Sequence, residues 1–314
     1  MFDGMRDCDL FFMILTIFSF PKYTKNILPL FNTPFALLAV GVIAISFAAP
    51  LFKLTQPTHP LVAAATRLTF ASILWLLISL RSPSDDKLSK QSSTAILCGF
   101  CYALHFGAWV WSLGLTSTLA SATLVTTTPI MLAIIALITG KDRPNKKLLL
   151  SGLIACIGVA IFAFDHQDQE GYLSGDLLAL IGALAMVPYL LLTRRLGSDL
   201  QIASFSMITT LVGATVLWIT AWFSLPSVLL QFPTGQALWA LIALTLIPQM
   251  VGHSALTLSL KHFTPTEVGL ATLLEPLGAS FLAWWWLDEH YNMWGGVASF
   301  LTLCGVYLAF KHKD

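Results

Sequence analysis

The sequence predicts an all-α membrane protein of ten transmembrane helices, built as an inverted 5+5 structural repeat. Three observations predict it. Apolar stretches of about twenty residues, the length that spans a bilayer, recur from Thr33 to the end of the chain. Basic residues collect in alternate links between those stretches. The chain also matches itself at a fixed offset of 147 residues. Of the 314 residues, 56% are hydrophobic and only 11% charged, against about 25% charged in a soluble domain. That leaves no room for a separate soluble domain.

Residues 1–32 form an extension. Leu10 to Phe20 is apolar but too short to span, and the acidic lead MFDGMRDCD is followed by no small-residue cleavage site. The extension is either an interfacial segment or lies ahead of a start at Met5 or Met13. Spans follow near 34–53, 61–80, 94–114, 118–139, 147–164, 173–193, 201–224, 236–260, 266–287 and 293–311. The links are short and turn-rich, as in Gln56-Pro57-Thr58-His59-Pro60 and Lys141-Asp142-Arg143-Pro144. Only helices and closed barrels satisfy their backbone in lipid, and runs this long and apolar are helices.

Charge sets the orientation. Fifteen of the 17 Lys and Arg fall on one side, in the N-terminal segment, after spans 2, 4, 6 and 8, and at the C-terminus. The exceptions are Lys53, at a span end, and Arg67, inside span 2. Asp165, Asp168, Glu170, Asp176, Asp288 and Glu289 lie on the other side. The positive-inside rule therefore puts both termini in the cytoplasm, with the chain in the cytoplasmic (plasma) membrane as a multi-pass protein. Nine tryptophans, from Trp109 and Trp111 to Trp284-Trp285-Trp286 and Trp294, fall near the outer ends of their spans and read as an aromatic belt.

At the offset of 147, Ser112-Leu113 falls on Ser259-Leu260, Pro129 on Pro276, Asn145 on Asn292 and Gly158-Val159 on Gly305-Val306. At an offset of 138, Ala49-Pro50 meets Val187-Pro188. The halves run over 33–165 and 173–311. Five spans is an odd number, so the second half enters the membrane upside-down. Inverted repeats place a substrate site near the midplane between the halves and support alternating access.

Gly252-His253, Leu260-Lys261 and Glu275-Pro276, with the paired Pro129 and Pro276 and the 5+5 pattern, resemble the drug/metabolite transporter superfamily, and within it the EamA-domain family. The resemblance covers about residues 34–311. It implies ten helices around a central cavity and the movement of a small polar or amphipathic metabolite, commonly outward. It does not extend to Phe11–Pro29.

The candidate site residues follow from one rule. An ionisable group deep in an apolar span is costly and is by default a functional-site hypothesis. Four qualify: Arg67, His105, His253 and Glu275. His105 falls on Gly252 at the 147 offset, which sets the two histidines at similar depth. Arg67 either snorkels outward, pairs with an acid or holds an anionic substrate group, the first two being the commoner fates. Pro129 and Pro276, with Pro50 and Pro188, remove backbone donors inside spans, and the freed carbonyls are candidate substrate ligands. Tyr102, Trp109, Trp111 and Tyr189 are candidate aromatic walls. His253 lies eight residues before Lys261, and Glu275 nine after Thr266. At about 1.5 Å per residue their depths match within a turn. The pair reads as one unit that shares a proton, or else as interhelical glue.

Other classes find little support. There is no His-Glu-x-x-His metal motif, no nucleophile elbow and no P-loop, so the expectation is a non-enzyme without metal or cofactor. Cys98 and Cys101 have redox spacing but sit in a span and read as packing. The net charge of +1 argues against nucleic acid. The expected partners are a small-molecule substrate, protons as the candidate coupling ion, and the lipid bilayer. Small residues on several helices permit association without demanding it. The alternative is a non-transporting membrane scaffold or assembly factor, and a dry, tightly packed centre would mark it.

Overall fold

In membrane helices the first and last turns, and most prolines, decide where the chain bends. Three of the apolar stretches begin on the same device, a capping side chain followed by proline at the first helical position, where its missing N–H is not needed. Thr33 Oγ1 accepts from Ala36 N at 3.2 Å ahead of Pro34, and His59 Nδ1 accepts from Leu61 N at 3.2 Å ahead of Pro60. Thr264 and Glu267 close a reciprocal capping box around Pro265.

The computed structural model describes residues 33–80, 87–116, 118–164, 172–227, 230–287 and 293–311, and every regular element in them is helical. The extension 1–32 lies outside the described residues, as do Arg81, Asp165, Asp168, Glu170, Asp288 and Glu289. In chain order the helices are α1 Pro34–Ser46, α2 Ala48–Lys53, α3 Pro60–Ser79, α4 Lys87–Ser112, α5 Thr118–Val125, α6 Thr128–Thr139, α7 Lys146–Phe164 and α8 Tyr172–Leu196. They continue with α9 Ile202–Ser224, α10 Gly235–Leu244, a π-helix Thr245–His253, α11 Ser254–Ser259, α12 Pro265–Thr272, α13 Glu275–Leu287 and α14 Met293–Phe310. Among the described residues, eight helical runs are long and apolar enough to cross a membrane, from Pro34–Lys53 through Pro265–Trp286. The remaining two stretches read as spans are α7 and α14, helices of 19 and 18 residues.

Four of the eight runs are not regular helices. The breaks fall at Phe47, Thr126-Thr127 and Leu273-Leu274, each two or three residues before Pro50, Pro129 or Pro276. Proline lacks the N–H its turn would use and crowds the carbonyl four residues back, so the ladder opens just upstream. Threonine hydroxyls take up some of the released carbonyls. Thr126 Oγ1 donates to Ala122 O at 3.0 Å, Thr127 Oγ1 to Leu124 O at 2.7 Å and Thr272 Oγ1 to Gly269 O at 2.7 Å. The fourth irregularity is the π-helix, which contains Pro248. Pro188, by contrast, sits inside an α8 that runs on to Leu196. The two lower breaks carry the 147-residue offset seen in the sequence: α5 and α12 end at 125 and 272, and α6 and α13 begin at 128 and 275.

Glycines let helices close on one another. A Cβ on Gly158 would meet Thr302 Oγ1 at 2.5 Å and Ala298 O at 2.6 Å; one on Gly305 would strike Ala155 N and Ser151 O. These contacts make α7 and α14 an antiparallel pair with their backbones touching. Gly252, at the end of the π-helix, approaches Ile45 of α1 in the same way, and Gly182 of α8 approaches Trp109 of α4. α8 packs on α4, α9 on α3 and α4, and α12 on α6. The arrangement leaves the interrupted helices facing the middle of the bundle.

Candidate substrate cavity

The interruptions border a partly open cavity of about 60 Å³. Its wall is built from both halves of the chain: Ile45, Ala48, His105, Trp109, Val125, Thr126 and Thr128 from the first, and Tyr189, His253, Thr257, Thr272 and Glu275 among those from the second. About 10–15 Å³ of such volume is the minimum that admits one water molecule, so the space is large enough for water.

Each polar wall residue is set by a local feature. Glu275 is the first residue of α13, immediately after the break that Pro276 causes, and it is 9% exposed. His105, on α4, is fixed by the close approach of Gly182: its Nδ1 lies 3.0 Å from Gly182 O. A carbonyl only accepts, so Nδ1 carries the proton and Nε2 is left as the acceptor. The ring stacks on Trp109 at 6.0 Å and 17°. His253 ends the π-helix, and Thr257 Oγ1 donates to its carbonyl at 2.7 Å. π-Turns are common at functional sites because they re-aim a side chain. The His253 ring lies 6.5 Å from that of His105 and 5.2 Å from Phe106.

Behind His253 is a packed polar cluster. Tyr102 Oη donates to Tyr189 Oη at 3.4 Å, and Tyr189 Oη is 2.7 Å from Thr257 Oγ1. Gln249 of the π-helix and Thr209 and Thr210 of α9 complete it. His253 belongs to both the cavity wall and this cluster. Cys98 is held here as well, 3.8 Å from Thr193 Oγ1.

The structure thus brings His105, His253 and Glu275 to one cavity, with Tyr102 one layer behind. His253 and Glu275 face it together, but no hydrogen bond or ion pair joins them; the contact between them runs through the cavity. Pro129 and Pro276 are buried and shape the wall without lining it. Pro129 instead abuts Gly269 of α12, whose added Cβ would sit 3.3 Å from it.

Arg67 takes neither of its two commoner fates. It does not snorkel, being 0% exposed, and it is not paired: Nε, Nη1 and Nη2 are buried without a hydrogen-bond partner. Its guanidinium instead lies over Phe106 at 4.5 Å and Phe52 at 5.4 Å. The belt reading also needs one correction. Trp222, Trp239, Trp284, Trp285 and Trp294 are exposed, but Trp109 is 2% exposed and belongs to the cavity, because the Gly182 approach leaves it no route outward.

Sequence reasoning missed Gln249, Thr126, Thr128 and Thr272. All were readable: Thr126-Thr127-Thr128 precedes Pro129, and Gln249 is an amide in an apolar run beside Pro248. Uncharged polar residues escape a rule that looks only for ionisable ones.

The sequence profile of the EamA-like transporter family matches residues 32–164 and again 173–311. The chain belongs to this family. Two of its relatives are from Bacillus subtilis (strain 168). The EamA-like chain is 24% identical to the uncharacterized transporter YdfC over 254 residues, which cover 78% of this chain and 81% of that relative. It is 26% identical to the uncharacterized transporter YyaM over 244 residues, covering 74% and 79%. A solved crystal structure superposes with a TM-score of 0.73 at 15% identity over 87% of this chain and 95% of that one, which shows the shared fold. This EamA-like protein is a multi-pass membrane transporter.

Proposed function

We propose that the protein is a secondary carrier that moves a small polar or amphipathic metabolite outward across the plasma membrane by alternating access. In this reading the described helices and the two halves 33–165 and 173–311 make ten crossings in an inverted 5+5 arrangement, with both termini cytoplasmic. The 147-residue recurrence of helix starts and breaks supports the duplication. The fifteen-of-seventeen basic asymmetry supports the orientation.

One observation carries the proposal: a partly open cavity of about 60 Å³ beside the helix breaks, whose mainly apolar wall carries three ionisable groups, Glu275, His105 and His253. A space this small takes a metabolite once the walls part further, which is what rocking of one half against the other achieves. Glu275 is the acid in that wall and is the candidate proton site, with His253 and His105 as orienting groups.

The test uses the full chain in lipid vesicles. Metabolite profiling of deletion and overexpressing strains first supplies a transported compound. Transport of that compound by Glu275→Gln is then followed against pH. The glutamine keeps hydrogen bonding but cannot titrate. The expected outcome is a folded protein whose transport is reduced and no longer pH-dependent. Unchanged transport with unchanged pH dependence would remove Glu275 from the coupling role.

A further inference from the structure

We propose that Arg67 is the recognition site for a single carboxylate on the transported molecule, which makes the substrate class an organic monoanion. This rests on the carrier reading above and names what the same site takes.

The argument begins with what is unsatisfied. A guanidinium carries five donors and cannot shed its charge easily, so a buried one without partners is a large, uncompensated cost. Here Nε, Nη1 and Nη2 all lack hydrogen-bond partners in a residue that is 0% exposed. What surrounds it satisfies its faces, not its edge. Phe106 at 4.5 Å and Phe52 at 5.4 Å offer ring faces to the cation. The N–H edge of the plane, the part that grips a carboxylate in a two-pronged bond, is left over.

The position fits a substrate contact. Phe106 packs on both cavity histidines, at 4.7 Å from His105 and 5.2 Å from His253, and Phe52 packs on Trp109 at 5.5 Å. The guanidinium therefore stands one aromatic layer behind the cavity wall. Tyr102 and His105 of α4, Glu275 of α13 and His253 of the π-helix are the titratable groups close enough to couple electrostatically with it. Arg67, Phe52 and Phe106 belong to the same half, so a change of the two phenylalanine rotamers, made possible when the other half moves away, would join the guanidinium edge to the cavity.

Charge counting chooses the ligand. Arg67 is one fixed positive charge and Glu275 one acid. A substrate monoanion neutralises Arg67 when Glu275 holds its proton; with the proton gone, Glu275 neutralises Arg67 itself. Two anions thus compete for one cation, and an organic carboxylate with an apolar body suits the mixed wall of Trp109, Tyr189, Leu190 and Val268. A phosphate dianion would leave an excess negative charge in an apolar surround.

The probes are three carboxylates, acetate, benzoate and indole-3-acetate, each against its neutral amide, with inorganic phosphate as a separate arm. Thermal unfolding of the purified full chain in detergent reads binding without requiring transport. At least one carboxylate should raise the Tm saturably, and its amide should not. Arg67→Gln should abolish that rise. Arg67→Lys, which keeps the charge but not the planar edge, should weaken it about tenfold. Glu275→Gln, which removes the competing anion, should strengthen it. If every amide matches its carboxylate, or if Arg67→Gln still responds, the assignment is wrong. If phosphate alone stabilises, the carboxylate assignment is wrong. The amide comparison on the unaltered protein decides even if an Arg67 variant does not fold. A protein that binds carboxylates and moves nothing in vesicles would break the carrier reading and leave this one standing; one that moves neutral compounds unaffected by Arg67→Gln would do the reverse.

Discussion

Two helix-packing regions of this molecule solve the same problem in opposite ways. The α7–α14 seam is made of two uninterrupted helices. Gly158 and Gly305, 147 residues apart, bring the backbones into contact, and Ala155, Val159 and Val306 fill the seam. Thr302 Oγ1, a seam hydroxyl, is bonded to Ala298 O at 2.9 Å. The cavity region sets broken and π-wound helices against the unbroken α3 and α4, and its elements carry buried polar atoms without a partner: the Arg67 guanidinium and Thr66 hydroxyl on α3, Trp109 Nε1 on α4, the Thr123 hydroxyl on α5 and Gln249 Oε1 on the π-helix. Lipid supplies no hydrophobic drive between helices, so close packing is what holds the bundle. The seam has it in full. The cavity region gives part of it up, and buried polar groups left unbonded are the trace of that sacrifice.

Breaking the seam should give the largest effect on the fold. Gly305→Leu drives a side chain into the backbone of α7 at Ser151 and Ala155. Overpacking of an ordinary core costs about 1–3 kcal/mol, and backbone cannot step aside as a side chain can, so the upper end or beyond is expected. The measurement is Tm and the monodisperse yield in detergent. Gly296→Ala, in the same helix with open space at its Cβ, should stay within about 0.5 kcal/mol of the parent. Equal losses in both would mean that α14 is not seated on α7 through its glycines.

The two regions were unequally legible in the sequence. Helix positions were legible because periodicity and length decide them in lipid, and the breaks because Pro129 and Pro276 are explicit. The cavity was legible only as four depths. His105, His253 and Glu275 meet because depth along neighbouring helices is simple arithmetic. What could not be read was azimuth. Whether His253 touches Glu275 depends on the rotation of the π-helix, and nothing in Pro248-Gln249 specifies a wider turn over an ordinary proline kink. Arg67 is a related case: its two commoner fates follow from depth alone, while its surroundings are set by Phe52 and Phe106, which lie 15 residues before and 39 after it.

The next largest effect should come from repairing the breaks. Pro129→Ala and Pro276→Ala restore an N–H and relieve the crowding that opens α5–α6 and α12–α13. Each proline is the second residue of its helix, where proline is tolerated, so the exchange should move the stability read from the Tm by no more than about 1 kcal/mol in either direction. If the breaks serve the cavity, transport should fall by roughly tenfold, equivalent to about 1.4 kcal/mol, while the fold holds. A normal transport rate in both variants would mean that the breaks only shape the bundle.

The smallest and sharpest contrast uses one substitution in both regions. Threonine to valine swaps a hydroxyl for a methyl at constant shape. At Thr123, 2% exposed with an unbonded Oγ1, it removes a polar group that carries a burial cost and returns nothing. Stability should rise by about 1 kcal/mol, the low end of the 1–3 kcal/mol cost of an unsatisfied buried group. At Thr302, 0% exposed, the hydroxyl is bonded within its own helix beside Gly158, and its loss should leave the Tm level or cost up to about 1 kcal/mol. Opposite signs would mean that the cavity region keeps its hydroxyl against its own stability, and reduced transport in Thr123→Val would then identify function as the reason. A Tm that falls in Thr123→Val by as much as in Thr302→Val would show that the Thr123 hydroxyl already has a partner in the membrane, and the contrast between the regions would lose this member.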